Sequence, residues 1–361
     1  MRLHVDQRHE RVLELVRERG SIRVAELAVE LGVSAVTLRR DVEALAAQGR
    51  VQRLHGAVVW PGDAESEVAR RPPDTGNTVI GMIVPSTQNL FADIVHGARE
   101  ALAAQGARLV LGVTGYVESE DASQAEHLVA GGAQGLLVAP SWFGGVPEGG
   151  QEKWLLAHDV PAVLVERSAP PGNPAAVLDR VRTDRAHGAA VALSHFAALG
   201  HREVAAVLQE GPHAAQITAG YEAAVRSLGL TSAAPLVREV GDYDACVGHL
   251  VEAVKKRGVT AALVHSDEDA IVLVPRLQAS GIAVPDDLAL IAYEDEVAAL
   301  ADVPLTAVAP PKREVGRLAA ELLLQRLAER REGGAPGTRR HLDLLPELRV
   351  RSSCGAGRSP R

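Results

Sequence analysis

The residues that could do chemistry fall into two groups, an arginine pair near the amino terminus and a scatter of carboxylates, aromatics and one arginine further on. Arg39 and Arg40 stand side by side, followed by Asp41 and Glu43. A guanidinium offers a planar fork of donors that matches a phosphate or the edge of guanine. Taken alone, the pair is as well explained by a solvated helix face balanced by the neighbouring acids. The second group follows a series of short apolar runs. Ser86, Asn89 and Phe91 come after the first, Tyr116 after the second, Ser141, Trp142 and Phe143 after the third, and Glu166 and Arg167 after the fourth. His213 lies beyond the fifth, Ser266 and Asp267 follow the sixth, and Tyr293, Glu294 and Asp295 end the seventh. Carboxylates and an arginine give directional hydrogen bonds to hydroxyls, and an aromatic ring stacks on a flat or sugar-like face. The chain has only three Trp, four Tyr and three Phe, and five of them stand at these positions.

Each of these residues also has a plain structural use. Trp142 and Phe143 could pack a loop. Asp267, Glu268 and Asp269 could complement a helix amino terminus. Glu166 and Arg167 could pair with each other. Enzyme signatures are missing: there is no glycine-rich phosphate loop, no G-x-S-x-G elbow and no H-E-x-x-H. Glu294 with Asp295 could do acid–base work, but in a binding crevice such a pair accepts hydroxyl hydrogen bonds. The two cysteines, Cys246 and Cys354, give neither a disulfide framework nor a cysteine zinc site. No catalytic residue, metal or cofactor is expected.

These side chains need elements to hold them. Residues 8–19 put Val12, Leu13, Leu15 and Val16 on one helical stripe that Gly20 can end. Val24, Leu27, Ala28 and Leu31 make a second short stripe, and Gly32 permits a tight turn. Ser34 stands at the N-cap of a third helix, with Leu38, Val42 and Leu45 facing inward and Arg39 and Arg40 outward or at the boundary. Two short helices joined at a glycine turn form a helix-turn-helix. RVQRLHGAVV (50–59) follows as a hairpin broken at His55-Gly56.

From Thr78 the chain alternates apolar runs with helical patterns. The expected strands are 78–84, 108–113, 135–139, 162–165, 203–208, 261–265 and 288–293, each a continuous run suited to burial on both faces. Helices are expected near 92–105, 120–131, 185–198, 214–228, 245–257, 268–280 and 312–331. Repeated βα units imply parallel sheets. RVRTD (180–184) separates the first four units from the next three, giving two α/β lobes. The expected division is a head over 1–60, a Pro- and Gly-containing linker over 61–77, a body over 78–351 and a disordered tail over 352–361.

Composition agrees with that division. The chain has 361 residues, too many for one ordinary domain, and its 47% hydrophobic content suits real cores. Net charge is -8, but residues 1–60 hold ten Arg against eight acidic residues. That asymmetry suggests a nucleic-acid head on an acidic body. No apolar run is long enough to span a membrane, and MRLHVDQRHER lacks a secretory core, so a cytoplasmic protein is expected.

The first block resembles the DeoR family of winged helix-turn-helix repressors through the pattern RHERVLELV…G…V.ELA..L.VS..TLRRD…L…G.V.R.HG from Arg8 to Gly56. The resemblance implies that the helix from Ala35 to Ala47 enters the major groove. Val36 and Arg39 would reach base edges, while Ser34, Thr37, Arg40, Arg53 and His55 would cap the helix or hold the backbone and minor groove.

The body resembles not the usual DeoR effector domain but the LacI/GalR regulators and periplasmic sugar-binding proteins. The matching stretches include IGMIVPSTQNLFADIVHGAREAL (80–102), VRTDRAHGAAVALSHFAALGHREVA (181–205), AGYEAAVRSLGL (219–230), SGIAVPDDLALIAYED (280–295) and PLTAVAPPKREVGRLAAELLLQRL (304–327). This likeness implies an α/β fold, a two-lobed, type I periplasmic-binding-protein-like sensor with parallel Rossmann-like sheets and three crossovers, placed near 179–182, 306–310 and 333–341. Lobe 1 would then hold about 78–180 and 310–333, and lobe 2 about 181–306 and 341–351.

Ligands of such sheets bind beyond the strands' carboxyl ends. The expected effector contacts are therefore Asn89, Phe91, Tyr116, Trp142, Glu166, Arg167, His213, Asp267, Tyr293 and Glu294. The chain departs from the family at Ala215, where an arginine is common, at Ser266-Asp267 for Asn-Asp, and at Glu294-Asp295 for Asp-Asp. It also lacks the LacI-type hinge helix. The implied protein is a ligand-responsive repressor of carbohydrate-utilisation genes. It would bind a palindromic double-stranded operator as a homodimer, released by a sugar-like effector and independent of membranes. A solute-binding receptor without gene regulation is the alternative.

Overall fold

The computed structural model describes residues 5–19, 21–23, 27–28, 30–31, 33, 35–47, 50–54, 57–59, 78–239, 241–333 and 337–356. Two units separate, Met1–Gly76 and Asn77–Arg361. In the first, α1 (Val5–Arg19) and α2 (Ala35–Ala47) share one small core. Val12, Leu13, Leu15 and Val16 meet Leu38, Val42 and Leu45 there, with Leu27 and Ala28 filling beside them. Apolar residues at i, i+3 and i+4 make these stripes, so burial of one face holds two helices that would be marginal alone.

Strands β2 (Gln52–Leu54) and β3 (Ala57–Val59) pair as the expected hairpin. A third strand, β1 (Ser21–Arg23), pairs antiparallel on the other side of β3. Its three residues are too few to show a period, and Ile22 enters the core. Gly20, Val24, Gly32, Ser34, His55, Gly56 and the linker 61–77 lie outside the described residues.

The second unit holds two sheets. The first follows the order β15-β8-β7-β6-β4-β5 and is parallel throughout. Its strands are β4 (Val79–Val84), β5 (Arg108–Val113), β6 (Gly135–Val138), β7 (Ala162–Val165), β8 (Asp179–Thr183) and β15 (His341–Leu344). Helices α3 (Leu90–Ala104), α4 (Glu118–Ala130), the short α5 (Lys153–Leu156) and the long α10 (Lys312–Arg331) accompany it. The second sheet follows β10-β9-β12-β13-β14-β16, with β11 also on β9, and only β16 runs antiparallel. It contains β9 (Glu203–Gln209), β10 (Thr231–Ser232), β11 (Leu236–Arg238), β12 (Ala261–Val264), β13 (Ala289–Tyr293), β14 (Thr306–Ala309) and β16 (Glu347–Arg349). Its helices are α6 (Arg185–Ala198), α7 (Ala214–Leu228), α8 (Tyr243–Arg257) and α9 (Asp267–Ala279).

Central strands such as β4, β6, β12 and β13 are buried at every residue, which is why each reads as an unbroken apolar run. Helices α3 and α10 approach backbone to backbone: a Cβ on Gly97 would lie 2.0 Å from the Arg313 carbonyl oxygen, and one on Gly316 only 1.9 Å from that of Ile94. Glycine at both positions permits this contact, which ties the late helix back onto lobe 1.

The lobe boundaries differ from the sequence expectation in three places. Residues 179–183 are not a separator but strand β8 of the first sheet, and the first crossover falls after it, at residue 184. Its burial alternates because it lies near the sheet edge, where Arg182 pairs with Asp343 of β15. A strand that faces solvent on one side and carries arginines does not read as a buried run. Residues 306–309, expected at a crossover, form β14 of the second sheet. The last crossover is at 345–346 rather than 333–341, so β15 belongs to lobe 1 and β16 to lobe 2. The tail expected to be disordered is packed at its start. Ser353 is buried and its hydroxyl donates to the Leu290 carbonyl at 2.6 Å, while Thr306 N–H donates to that hydroxyl at 2.8 Å. Residues 357–361 lie outside the described residues.

Candidate functional site

In the head, Asp41 sets the angle of α2 on α1. Arg8 Nε donates to Asp41 Oδ2 at 2.5 Å and Arg8 Nη2 to Oδ1 at 3.0 Å, with His9 Nε2 3.2 Å from Oδ1. Burial works to raise the Asp41 pKa, but the hydrogen bonds from Arg8 and His9 outweigh it and hold the carboxyl below its usual value. Its carboxylate therefore faces α1 and is not reserved for the arginine pair. Arg40 is exposed and Thr37 is half-buried. Val36 and Arg39 stand on α2, and Arg53 on β2. Ser34 and His55 lie outside the described residues.

In the body, the carboxyl ends of both sheets face one crevice. The non-glycine residues with positive φ among the described residues are Asn89, Tyr116, Glu166, Glu294 and Asp295. Every one follows a strand at this crevice. Such backbone costs free energy and persists where packing over-determines it, a feature that clusters at functional sites.

A cavity of about 150 Å³ opens there. Lobe 1 lines it with Asn89 and Tyr116, and lobe 2 with Glu210, His213, His265, Ser266, Asp267, Glu268, Glu294 and Glu296. Asn89 Nδ2 donates to Glu268 Oε1 at 3.1 Å, a bridge from one lobe to the other.

Five of the ten expected effector contacts, Asn89, Tyr116, His213, Asp267 and Glu294, thus meet at one cavity. Glu166 and Arg167 are buried beside it. They do not pair side chain to side chain: Glu166 Oε1 accepts from Thr183 N–H at 3.0 Å and its hydroxyl at 2.7 Å, while Arg167 donates to the backbone carbonyls of Pro140 and Glu166. Burial lowers the Arg167 pKa to about 10 despite the opposing Glu166 and Asp121 carboxylates.

Three expected contacts turn inward. Phe91 packs in the lobe 1 core, its ring centroid 5.9 Å from the Arg167 guanidinium carbon. Trp142 lies fully buried with Leu136, Val138 and Leu155. Tyr293 is also fully buried, and its hydroxyl donates to the Arg185 carbonyl at 3.1 Å. Large apolar rings were drawn into the cores flanking the crevice. Among the five strand-end aromatics, Tyr116 lines the cavity, while Phe143 is 65% exposed. Ser141 is bound to Asp121, and Asp295 is held by Arg349 and Arg351.

Sequence reasoning missed Arg185, as it missed His265, Glu210, Glu268 and Glu296 of the cavity lining. Arg185 is fully buried at the start of α6, between Glu166 of lobe 1 and Glu294 of lobe 2. Nη1 donates to Glu294 Oε1, and Nη2 lies 3.6 Å from Glu166 Oε2. Its guanidinium stacks over Tyr293, 5.5 Å from the ring centroid. A cation in the first turn of a helix opposes the macrodipole, and that was the available signal: such a residue needs carboxylates nearby.

Lys312 adds a second cation, donating to the Glu294 carbonyl at 2.7 Å and to Glu296 Oε1. His265 Nε2 lies 3.4 Å from Glu294 Oε1. Burial pushes the Glu294 pKa up, but Arg185 and His265 prevail and hold it well below the ordinary value. Burial, with Arg185 and Arg167 nearby, holds His213 neutral, its pKa well below normal. Asp267 goes the other way, raised by burial despite hydrogen bonds from Val297 and Ala298 N–H. Among the described residues, no group of histidine, cysteine and carboxylate side chains has metal-holding geometry.

Comparison with known proteins agrees with both units. A family model for a DeoR-like helix-turn-helix domain matches residues 8–62, and one for a periplasmic binding protein-like domain matches residues 193–354. The HTH-type transcriptional repressor PurR of Vibrio campbellii is 28% identical over 340 residues, covering 91% of this chain and 97% of its own. Among solved structures, a regulatory protein of LacI family from Chloroflexus aggregans superposes with a TM-score of 0.65 at 22% identity, covering 77% of this chain and 98% of its own. A LacI family regulator from Enterococcus faecium with bound ribose gives a TM-score of 0.61 at 22% identity over 76% and 98%. No helix among the described residues is long and apolar enough to cross a membrane.

Proposed function

We propose that this chain, a ligand-responsive transcriptional repressor by its DeoR-like head and periplasmic-binding-protein-like body, binds a palindromic operator as a homodimer and is released by a small polar, sugar-like effector held in the crevice between its lobes. The observation that carries this reading is the concentration of strained backbone and polar side chains at the carboxyl ends of both sheets. Effector bound between the lobes would favour one lobe separation, and that preference is what shifts the DNA-binding state. The Asn89–Glu268 bridge supports a crevice that can close.

In the head, Val36 and Arg39 would read base edges. Thr37, Arg40, Arg53 and His55 would hold phosphates or the minor groove, with Ser34 capping α2. Arg39→Ala and Arg40→Ala should each abolish specific operator binding in a mobility-shift assay while the fold is kept. Losing one phosphate contact also flattens the salt dependence by roughly one unit of slope. Wild-type affinity in both variants would overturn the assignment.

The effector half is tested by thermal shift. A ligand at 100 times its Kd stabilises the protein by about 2.7 kcal/mol. The stabilising ligand should also lower operator affinity, and one that stabilises but leaves the DNA complex untouched contradicts the release mechanism.

A further inference from the structure

The crevice cavity holds an unusual share of polar atoms left over after internal pairing. Asp267 is fully buried, and its Oδ1 has no hydrogen-bond partner although Oδ2 accepts from Val297 and Ala298 N–H. Glu294 Oε2 is likewise buried without one, with Lys312 Nζ 3.9 Å away. His265 and His213 each leave a buried Nδ1 unpartnered. All four residues line the same cavity. His265 Nε2 faces a carboxylate oxygen and donates to it, leaving Nδ1 turned to the cavity. Two of the leftovers, Asp267 Oδ1 and Glu294 Oε2, are carboxylate acceptors, and an unsatisfied buried acceptor is costly unless a ligand fills it.

Charge points the same way. Asp267, Glu294 and Glu296 lie within the cavity lining, and Glu210 and Glu268 join them at its lobe 2 wall, while among the described residues no lysine or arginine lines it. The cations outside the lining face carboxylates: Arg185 donates to Glu294 through Nη1 and lies 3.6 Å from Glu166, its Nε and Nη2 left without hydrogen-bond partners, and Lys312 donates to Glu296 and the Glu294 carbonyl. Glu268 already accepts an amide N–H donor, from Asn89 across the crevice. A ligand bearing phosphate or carboxylate would meet these carboxylates with like charge.

We infer that the effector is a small donor-rich molecule carrying a protonated amine, such as an amino sugar or a hydroxylated amine, with the ammonium facing Asp267, Glu294 and Glu268. This deepens the proposed function and rests on the crevice being the effector site. Hydroxyl groups would satisfy His265 Nδ1 and Glu294 Oε2, and the ammonium would neutralise the buried Asp267 carboxylate beside Glu294 and the exposed Glu268.

The test is calorimetry and thermal shift on the full chain with probes that differ in charge. Glucosamine supplies a protonated amine, glucose and N-acetylglucosamine are neutral, glucuronate and glucose 6-phosphate are anionic, and putrescine is an amine without hydroxyls. An amine-bearing probe should bind most tightly, and Glu294→Gln or Glu268→Gln should weaken it about 10- to 100-fold, the range for one charge-assisted hydrogen bond. Circular dichroism of each variant separates lost binding from lost folding. Preference for a neutral or anionic probe that Glu294→Gln also weakens overturns the charge assignment while leaving the crevice as the effector site. Amine binding unchanged in both variants overturns the placement, and a panel in which no probe binds also overturns the inference.

Discussion

Two buried ion networks in the body look alike and are finished differently. At the far end of lobe 1, Asp179 is fully buried. Its Oδ1 accepts from Arg326 Nη2 at 2.9 Å and Arg340 N–H at 2.7 Å, and its Oδ2 from Arg326 Nε at 2.7 Å and Arg339 Nη1 at 3.1 Å. Both oxygens are filled. At the crevice, Arg185 bridges Glu166 and Glu294, yet Arg185 Nε, Glu294 Oε2, Asp267 Oδ1 and two histidine nitrogens stay without hydrogen-bond partners. The first network ties α10 and the 337–340 segment to β8 and leaves neither Asp179 oxygen without a partner. The second holds its groups ready at the cost of unsatisfied burial, which is the pattern of a binding site.

That contrast can be broken or sharpened by substitution. The largest effect is expected at Asp179→Ala, which strands the buried Arg326 guanidinium. Chemical denaturation should show a loss of about 3–5 kcal/mol, with the effector response of the surviving fold intact. Glu294→Gln removes a charge from a network that is already incomplete, so its stability loss should be smaller, about 1–3 kcal/mol, while its effector response disappears. Equal losses in the two variants would erase the distinction between them.

A smaller effect belongs to pH. His213 has its pKa pushed down by burial and by the Arg185 and Arg167 charges. Below the unfolded histidine pKa of about 6.5 only the unfolded chain takes up the proton, so stability falls as pH drops through that value. The depressed carboxyls of Asp41, Asp179 and Glu294 add a further loss below about pH 4, where the unfolded carboxylates are protonated first. Melting temperature against pH should decline in these two steps, and His213→Gln should reduce only the first, to which His195, His201 and His249, also lowered by burial, contribute. The smallest effect is expected on the exposed face of α10, where Arg317 pairs with Glu314 and Glu321. Arg317→Ala should cost no more than about 0.5 kcal/mol per lost pair.

Legibility in the sequence followed the same physics. Helices α2, α6, α7 and α10 and strand β7 announce their full extents, because one buried face or two buried faces leave a plain apolar period, whereas β5 reads as an apolar run although it is an edge strand with Leu111 and Val113 exposed, not buried on both faces as expected. Strand β8 did not, because Arg180 and Arg182 occupy its half-buried positions and pair with Asp343, a partner that only the fold brings near. Strand β1 was too short to show a period. At the crevice, counting strand ends found Asn89, Tyr116, His213, Asp267 and Glu294. It could not tell which aromatic rings would turn into the flanking cores, as Phe91, Trp142 and Tyr293 do. Arg185 was hidden because its partners lie 19 residues before and 109 residues after it in the chain.

The most direct measurement is operator affinity of the full chain with and without effector, on DNA that the protein selects from a random pool and with the ligand found by thermal shift. The account predicts that effector releases the wild-type protein, while Glu294→Gln binds the same DNA and is not released. Equal release of both proteins, or effector binding that leaves wild-type operator affinity unchanged, would contradict it.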